Sequence, residues 1–204
     1  MSVLNRFALF LIIFLLVVMA GLWISGGKRE QASATLAIEA HPSQIFDYLV
    51  QPEKLKQWVE DLAHVDQPIA PRQDTLPPKL LRVYRDSSGK EREFSDEVIR
   101  YNEHDILSII SNHAGTTQVI FYQLDWDQES QQSQFTYSIQ ETYSGLDRFI
   151  APLQRNPLQR RIATEAQQLK RLVEANEPKW QPNVDETTAD DEDVFNTNEG
   201  VSQE

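Results

Sequence analysis

Three hydrophobic patterns divide the chain. Residues 7–24 (FALFLIIFLLVVMAGLWI) are apolar without interruption, residues 35–142 break into stretches of strand or short-helix length, and residues 145–175 repeat apolar positions at helical spacing. In the last stretch Leu146, Phe149, Ile150 and Leu153, then Leu158, Ile162, Ala166, Leu169 and Leu172, keep one face apolar, with Arg148, Arg155, Arg160, Arg161, Lys170 and Arg171 between them. Asn156 suits an N-cap with Pro157 at the first helical position, which predicts a short leading helix and then a long one. A helix with a single apolar stripe needs a surface to lie on.

The middle of the chain supplies that surface. TLAIEA (35–40) reads as a strand stopped by His41-Pro42-Ser43. Ile45, Phe46, Leu49 and Val50, then Leu55, Trp58, Val59 and Leu62, form the stripes of two short helices broken at Gln51-Pro52. Residues 63–78, with four prolines, read as a loop holding at most one short strand near Val65 and Ile69. Five strands follow over 80–85, 92–100, 105–112, 117–124 and 134–142, separated by DSSGKE, YNEH, HAGT and DQESQQS, whose Gly, Asn, Asp and Ser suit reversals between antiparallel neighbours. In the last strand Phe135, Tyr137, Ile139 and Glu141 share the face expected to be covered. The predicted fold class is α+β with a helix-grip plan: a curved antiparallel sheet of six to seven strands wrapped around a long C-terminal helix, with two short helices after the first strand.

Residues 7–24 rise about 27 Å as a helix, close to a hydrocarbon core, and predict a single-pass membrane anchor with the bilayer as partner. A signal peptide cleaved at Ala32-Ser33-Ala34 is the rival, but Lys28, Arg29 and Glu30 separate that site from the apolar run. Arg6 and the amino terminus nearly balance Lys28 and Arg29, so orientation is poorly set, with a lean towards an exported domain. The expected organisation is a flank (1–6), anchor (7–24), linker (25–34), helix-grip domain (35–177) and acidic disordered tail (178–204).

Charge sharpens the last boundary. Of the net charge of -12, residues 176–204 carry -8, from nine acids against one Lys. That tail has no sustained periodicity, reads as disordered, and is a candidate hook for a protein partner. The acidic balance argues against nucleic acid. The absence of cysteine excludes disulfides and thiolate chemistry, and four scattered histidines without metal spacing give no metal site. No cofactor motif is present. His113, beside Ala114-Gly115, reads as a hairpin-turn residue rather than a base.

The segment AIEAHPSQIFDYLVQPEKLKQWVEDLAHV resembles the opening of the START-like superfamily of polyketide cyclases, dehydrases and lipid-transport proteins, with Pro42, Phe46, Gln51-Pro52-Glu53 and Trp58 as comparable residues. LDRFIAPLQRNPLQRRIATEAQQLKRLVEANE resembles the family's ending, and DEVIRYNEHDILSI is similar to a strand-turn-strand unit within it. The resemblance spans 35–177 and implies a cavity between sheet and helix, without a fixed set of catalytic residues.

Trp58, Tyr84, Phe94, Tyr122, Phe135, Tyr137, Ile139, Phe149 and Leu153 are the expected walls of that cavity, with Phe149 and Leu153 as its lid. For each taken singly, ordinary core packing is the favoured reading; together they point to a hydrophobic ligand. Glu141 and Asp96 are the candidate proton carriers, since desolvation favours the protonated form of a buried carboxyl group, which general-acid work requires. The leading reading is a membrane-tethered module holding a hydrophobic small molecule or lipid. The alternatives are a cyclase- or dehydratase-like enzyme on an apolar cyclic substrate and an interaction module acting through the acidic tail.

Overall fold

The structure is a computed structural model that describes residues 3–27, 29–69, 79–149 and 151–177; within these, the side chains of 3–6, 8 and 153–155 are outside the described set. The acidic tail (178–204) and most of the proline-rich loop therefore lie outside it, as does the side chain of Leu153.

In chain order the elements are α1 (Val3–Ser25), β1 (Glu30–Ile38), α2 (Pro42–Val50), α3 (Pro52–Leu55), β2 (Leu62–Val65), β3 (Lys79–Arg85), β4 (Glu91–Asn102), β5 (Ile106–His113), β6 (Thr116–Asp127), β7 (Gln132–Tyr143), a 3-10 turn (Gly145–Phe149) and α4 (Ala151–Asn176). The strands form one antiparallel sheet in the order β1-β7-β6-β5-β4-β3-β2. β1 begins at Glu30, inside the stretch expected to be a linker, because long β7 offers Glu141, Gln140 and Ile139 as partners for Glu30, Gln31 and Ala32. Pro42 starts α2 where a missing N–H costs nothing, and His41 and Gln44 complete a capping box.

α4 lies along edge strand β1 and satisfies backbone groups that an edge leaves open. Ser33 donates to and accepts from the Gln159 side chain at 3.3 and 2.8 Å, Lys170 Nζ donates to the Ala37 carbonyl at 2.6 Å, and the Glu39 N–H donates to Glu174 at 3.0 Å. Behind these contacts Ile162, Ala166, Leu169 and Val173 are fully buried against the sheet. The helix does not restart at Asn156. Pro152 sits in the first turn of α4, where a proline is tolerated, and Pro157 lies inside a continuous helix held by tertiary packing.

The expected anchor is corrected. Among the described residues no helix is long and apolar enough to cross a membrane, which overturns the single-pass reading of residues 7–24. Residues 7–24 lie within α1, Val3–Ser25. Its large apolar side chains are exposed, among them Phe10, Phe14 and Leu16, and its end rests on the 3-10 turn: the Trp23 ring is 5.2 Å from that of Phe149, and the Arg148 guanidinium lies 5.3 Å from the Trp23 ring.

Candidate functional site

Strand register stacks the residues on the helix-facing side of the sheet into rows. One row is dry: Val98, Ile109, Ile120, Ile139 and Ala32. The next is polar, with Asp96 opposite Ser111, Ser111 opposite Gln118, and Gln118 opposite Glu141. Beyond it, towards the open end, His113 pairs with Thr116 and Thr116 with Tyr143, while the Phe94 ring stacks on His113 at 4.7 Å.

A cavity of about 630 Å³ opens over these two outer rows. β3 and β4 contribute Tyr84, Arg92 and Phe94, with Lys90 from the hairpin between them; β5–β7 contribute His113, Thr116, Gln118, Glu141 and Tyr143. Glu60, Asp61, Ala114 and Asp147 come from loops and turns, and Pro157, Leu158 and Arg161 from α4. The rim is tied together at Gly115, whose positive φ of 80° admits the tight β5–β6 turn and whose carbonyl accepts from the Ser144 N–H at 2.7 Å and the Ser144 hydroxyl at 3.0 Å.

Glu141 is 5% exposed, and each of its oxygens meets a donor: Gln118 Nε2 at 2.6 Å on Oε1, and the Tyr143 hydroxyl on Oε2. Burial, then the adjoining Glu141 carboxylate, hold the Tyr143 phenol well above its ordinary range, so it remains a donor. His113 Nδ1 lies 2.7 Å from the Glu93 carbonyl, which can only accept. The proton therefore sits on Nδ1, leaving Nε2 uncommitted to that bond.

Behind the cavity wall runs a second polar cluster. Tyr137 donates to Glu165 Oε2 at 2.8 Å, the Glu60 N–H donates to Glu165 Oε1 at 3.0 Å, and Arg161 Nε stands 3.7 Å from the same oxygen. Burial pushes the Glu165 carboxyl up, against the opposing pull of Arg161 and of the Tyr137 hydroxyl.

The structure divides the residues named from sequence. Tyr84, Phe94 and Glu141 line the cavity. Trp58, Tyr122, Phe135, Tyr137 and Ile139 are buried in the core, where Trp58 packs edge-on to Tyr122 and Tyr137 at 6.0 and 5.9 Å and donates from Nε1 to the Tyr48 carbonyl. Phe149 is half-buried against Trp23. Asp96 belongs to the polar row but is held in a fully buried ion pair with Arg82 and is not a cavity residue. Sequence reading missed His113, Gln118, Tyr143 and Arg161 as wall residues. The parity of Leu107, Ile109, Ser111 and His113 along β5 was the available signal for the first of them.

No protein-family model matches the chain, and no curated protein matches its sequence. Solved structures match its fold. A Chromobacterium violaceum protein aligns at TM-score 0.56 with 11% identity, covering 71% of this chain and 97% of that one. A Thermus thermophilus protein aligns at TM-score 0.57 with 12% identity, covering 72% and 99%. DynU16, from the dynemicin biosynthetic locus, aligns at TM-score 0.51 with 14% identity, covering 74% of this chain and 49% of its own length. Identities this low speak to fold alone: the chain has a curved antiparallel sheet closed by a C-terminal helix, consistent with the helix-grip architecture.

Proposed function

We propose that this protein is a START-like binding module that takes one small molecule in the cavity between the open end of the sheet and the start of α4. The observation that carries the reading is the cavity itself: its volume of about 630 Å³ falls in the range of small-molecule sites, and its largely polar and charged walls also hold the rings of Tyr84, Phe94 and Tyr143. Tyr84, Phe94 and Leu158 offer contact to an apolar body, and Glu141, Gln118 and Tyr143 offer a polar end. The ligand that fits is amphipathic, with a flat or compact apolar part, rather than a long acyl chain, because the deeper space towards β1 is filled by Trp58, Tyr122, Phe135 and Tyr137. The test is native purification of the full chain and mass spectrometry of what denaturation releases. A stoichiometric small molecule is expected, lost in the cavity-filling variant Thr116→Trp; repeated recovery of empty protein overturns the reading.

One observation favours a second reading, in which the cavity also transfers protons. Glu141 and His113 Nε2 lie on the same wall, a carboxylate and an imidazole whose other groups are already tied to the protein. Under this reading Glu141→Gln and His113→Gln each abolish turnover of a bound substrate while leaving its binding measurable. Turnover that survives both substitutions disposes of it. Asp96 has no part in it, since its charge is committed to Arg82.

A further inference from the structure

The charges around the cavity are not equivalent. Lys90 and Arg92 are exposed, where water and salt screen them. Arg161 faces the buried Glu165 carboxylate at 3.7 Å, which opposes its charge. Asp147 is half-buried at the rim. Glu141 is a buried carboxylate whose two hydrogen-bond partners, the Gln118 amide and the Tyr143 phenol, are both neutral, while the Arg161 guanidinium on the same wall attracts it through space as well as Glu165. A buried charge is ordinarily paired. A carboxylate has about four acceptor positions, and these partners use two. The rings of Tyr84, Phe94 and Tyr143 line the same space, and an aromatic face attracts a cation.

Resting on the ligand-binding reading above, we infer that the cavity takes an organic cation: a protonated amine on a flat apolar body, its ammonium group on Glu141 and its body against Tyr84 and Phe94. The amine's N–H groups donate to the free acceptor positions of Glu141, and His113 Nε2 offers a further acceptor on the same wall. At the opening the rim acids Glu60, Asp61 and Asp147 outnumber the exposed Lys90 and Arg92 and favour cations there.

Three indole probes of one shape test this on the full chain by calorimetric titration: tryptamine as the cation, tryptophol as the neutral form and indole-3-propionate as the anion. Tryptamine is expected to bind at least about tenfold more tightly than indole-3-propionate, with tryptophol between them, and Glu141→Gln is expected to draw the three together. The unmodified chain supplies a second readout that needs no variant to fold: added sodium chloride weakens tryptamine binding and leaves tryptophol binding unchanged. Equal binding of the three probes, preference for indole-3-propionate, a preference retained in Glu141→Gln, or one salt response for both tryptamine and tryptophol overturns the cation assignment and leaves the ligand-binding reading standing. Failure of all three probes to bind overturns both.

Discussion

The two halves of the helix-facing sheet surface carry similar numbers of rings and meet opposite fates. In the half nearer the end of α4, Tyr122, Phe135 and Tyr137 pack on one another, Trp58 meets two of them edge-on, and all four are buried. In the open half Tyr84, Phe94, His113 and Tyr143 surround a cavity. The strands are shared, so the difference lies in the helix. Where α4 presents Ala166, Leu169 and Val173, each fully buried, its backbone closes on the sheet. Where it presents Pro157, Leu158 and Arg161, it lines the cavity instead. A ring-rich strand face therefore becomes a site only where the opposing helix fails to close on it.

The largest effects should come from breaking buried matches. Arg82 and Asp96 are 1% and 0% exposed, and Arg82 Nη2 and Asp96 Oδ1 have no other partner among the described residues. Asp96→Ala leaves an uncompensated buried guanidinium and should destabilise the fold by about 3–5 kcal/mol in urea denaturation, whereas the joint replacement Arg82→Met with Asp96→Leu should recover most of that loss. The same truncation made in each half then tests the comparison directly. Phe135→Ala, at a fully buried position in the closed half, should cost about 3–5 kcal/mol, and Phe94→Ala, beside existing space, roughly half as much. Equal costs would show that the open half is packed as firmly as the closed one.

A smaller effect should separate the halves by pH. Burial raises the Glu165 carboxyl above its ordinary value of 4.5, so between that value and the raised one the folded chain binds more protons than the unfolded chain. Stability from this group is fully present below 4.5 and is lost as pH rises through the raised folded value. Glu165→Gln should flatten that part of the stability curve, measured as denaturation midpoint against pH; an unchanged slope would assign the dependence to other groups.

The elements behind this contrast are partly legible in sequence, and the reasons differ by element. Alternation along β7 places Phe135, Tyr137, Ile139 and Glu141 on one buried face, because period-2 patterning is a property of a single strand. Gln118 joins Glu141 only through the β6–β7 register, and no single strand encodes register. His113 reads as a turn residue because Ala114-Gly115 follows it, yet it is the last residue of β5 and keeps that strand's inward parity. Pro157 suggests a helix start, but Pro152, in the first turn of α4, fills that role. Which rings line a cavity and which pack depends on how closely α4 approaches each row, a tertiary property that side-chain type along the strands does not carry.

The smallest effect is expected on the very hairpin that holds the buried ion pair. Arg85 and Glu91 also bridge β3 and β4, at 2.5 and 3.0 Å, but with side chains 58% and 49% exposed. Both charges keep most of their hydration in the unfolded and folded states alike, and ordering two long side chains offsets much of the attraction. Glu91→Ala should therefore change stability by less than about 1 kcal/mol, and the change should shrink further as salt is added. Asp96→Ala on the same pair of strands should be several times larger and nearly indifferent to salt. If Glu91→Ala matched it, burial would not be what distinguishes the two pairs, and the contrast between the closed interior and the solvent-facing rim of this sheet would lose its electrostatic basis.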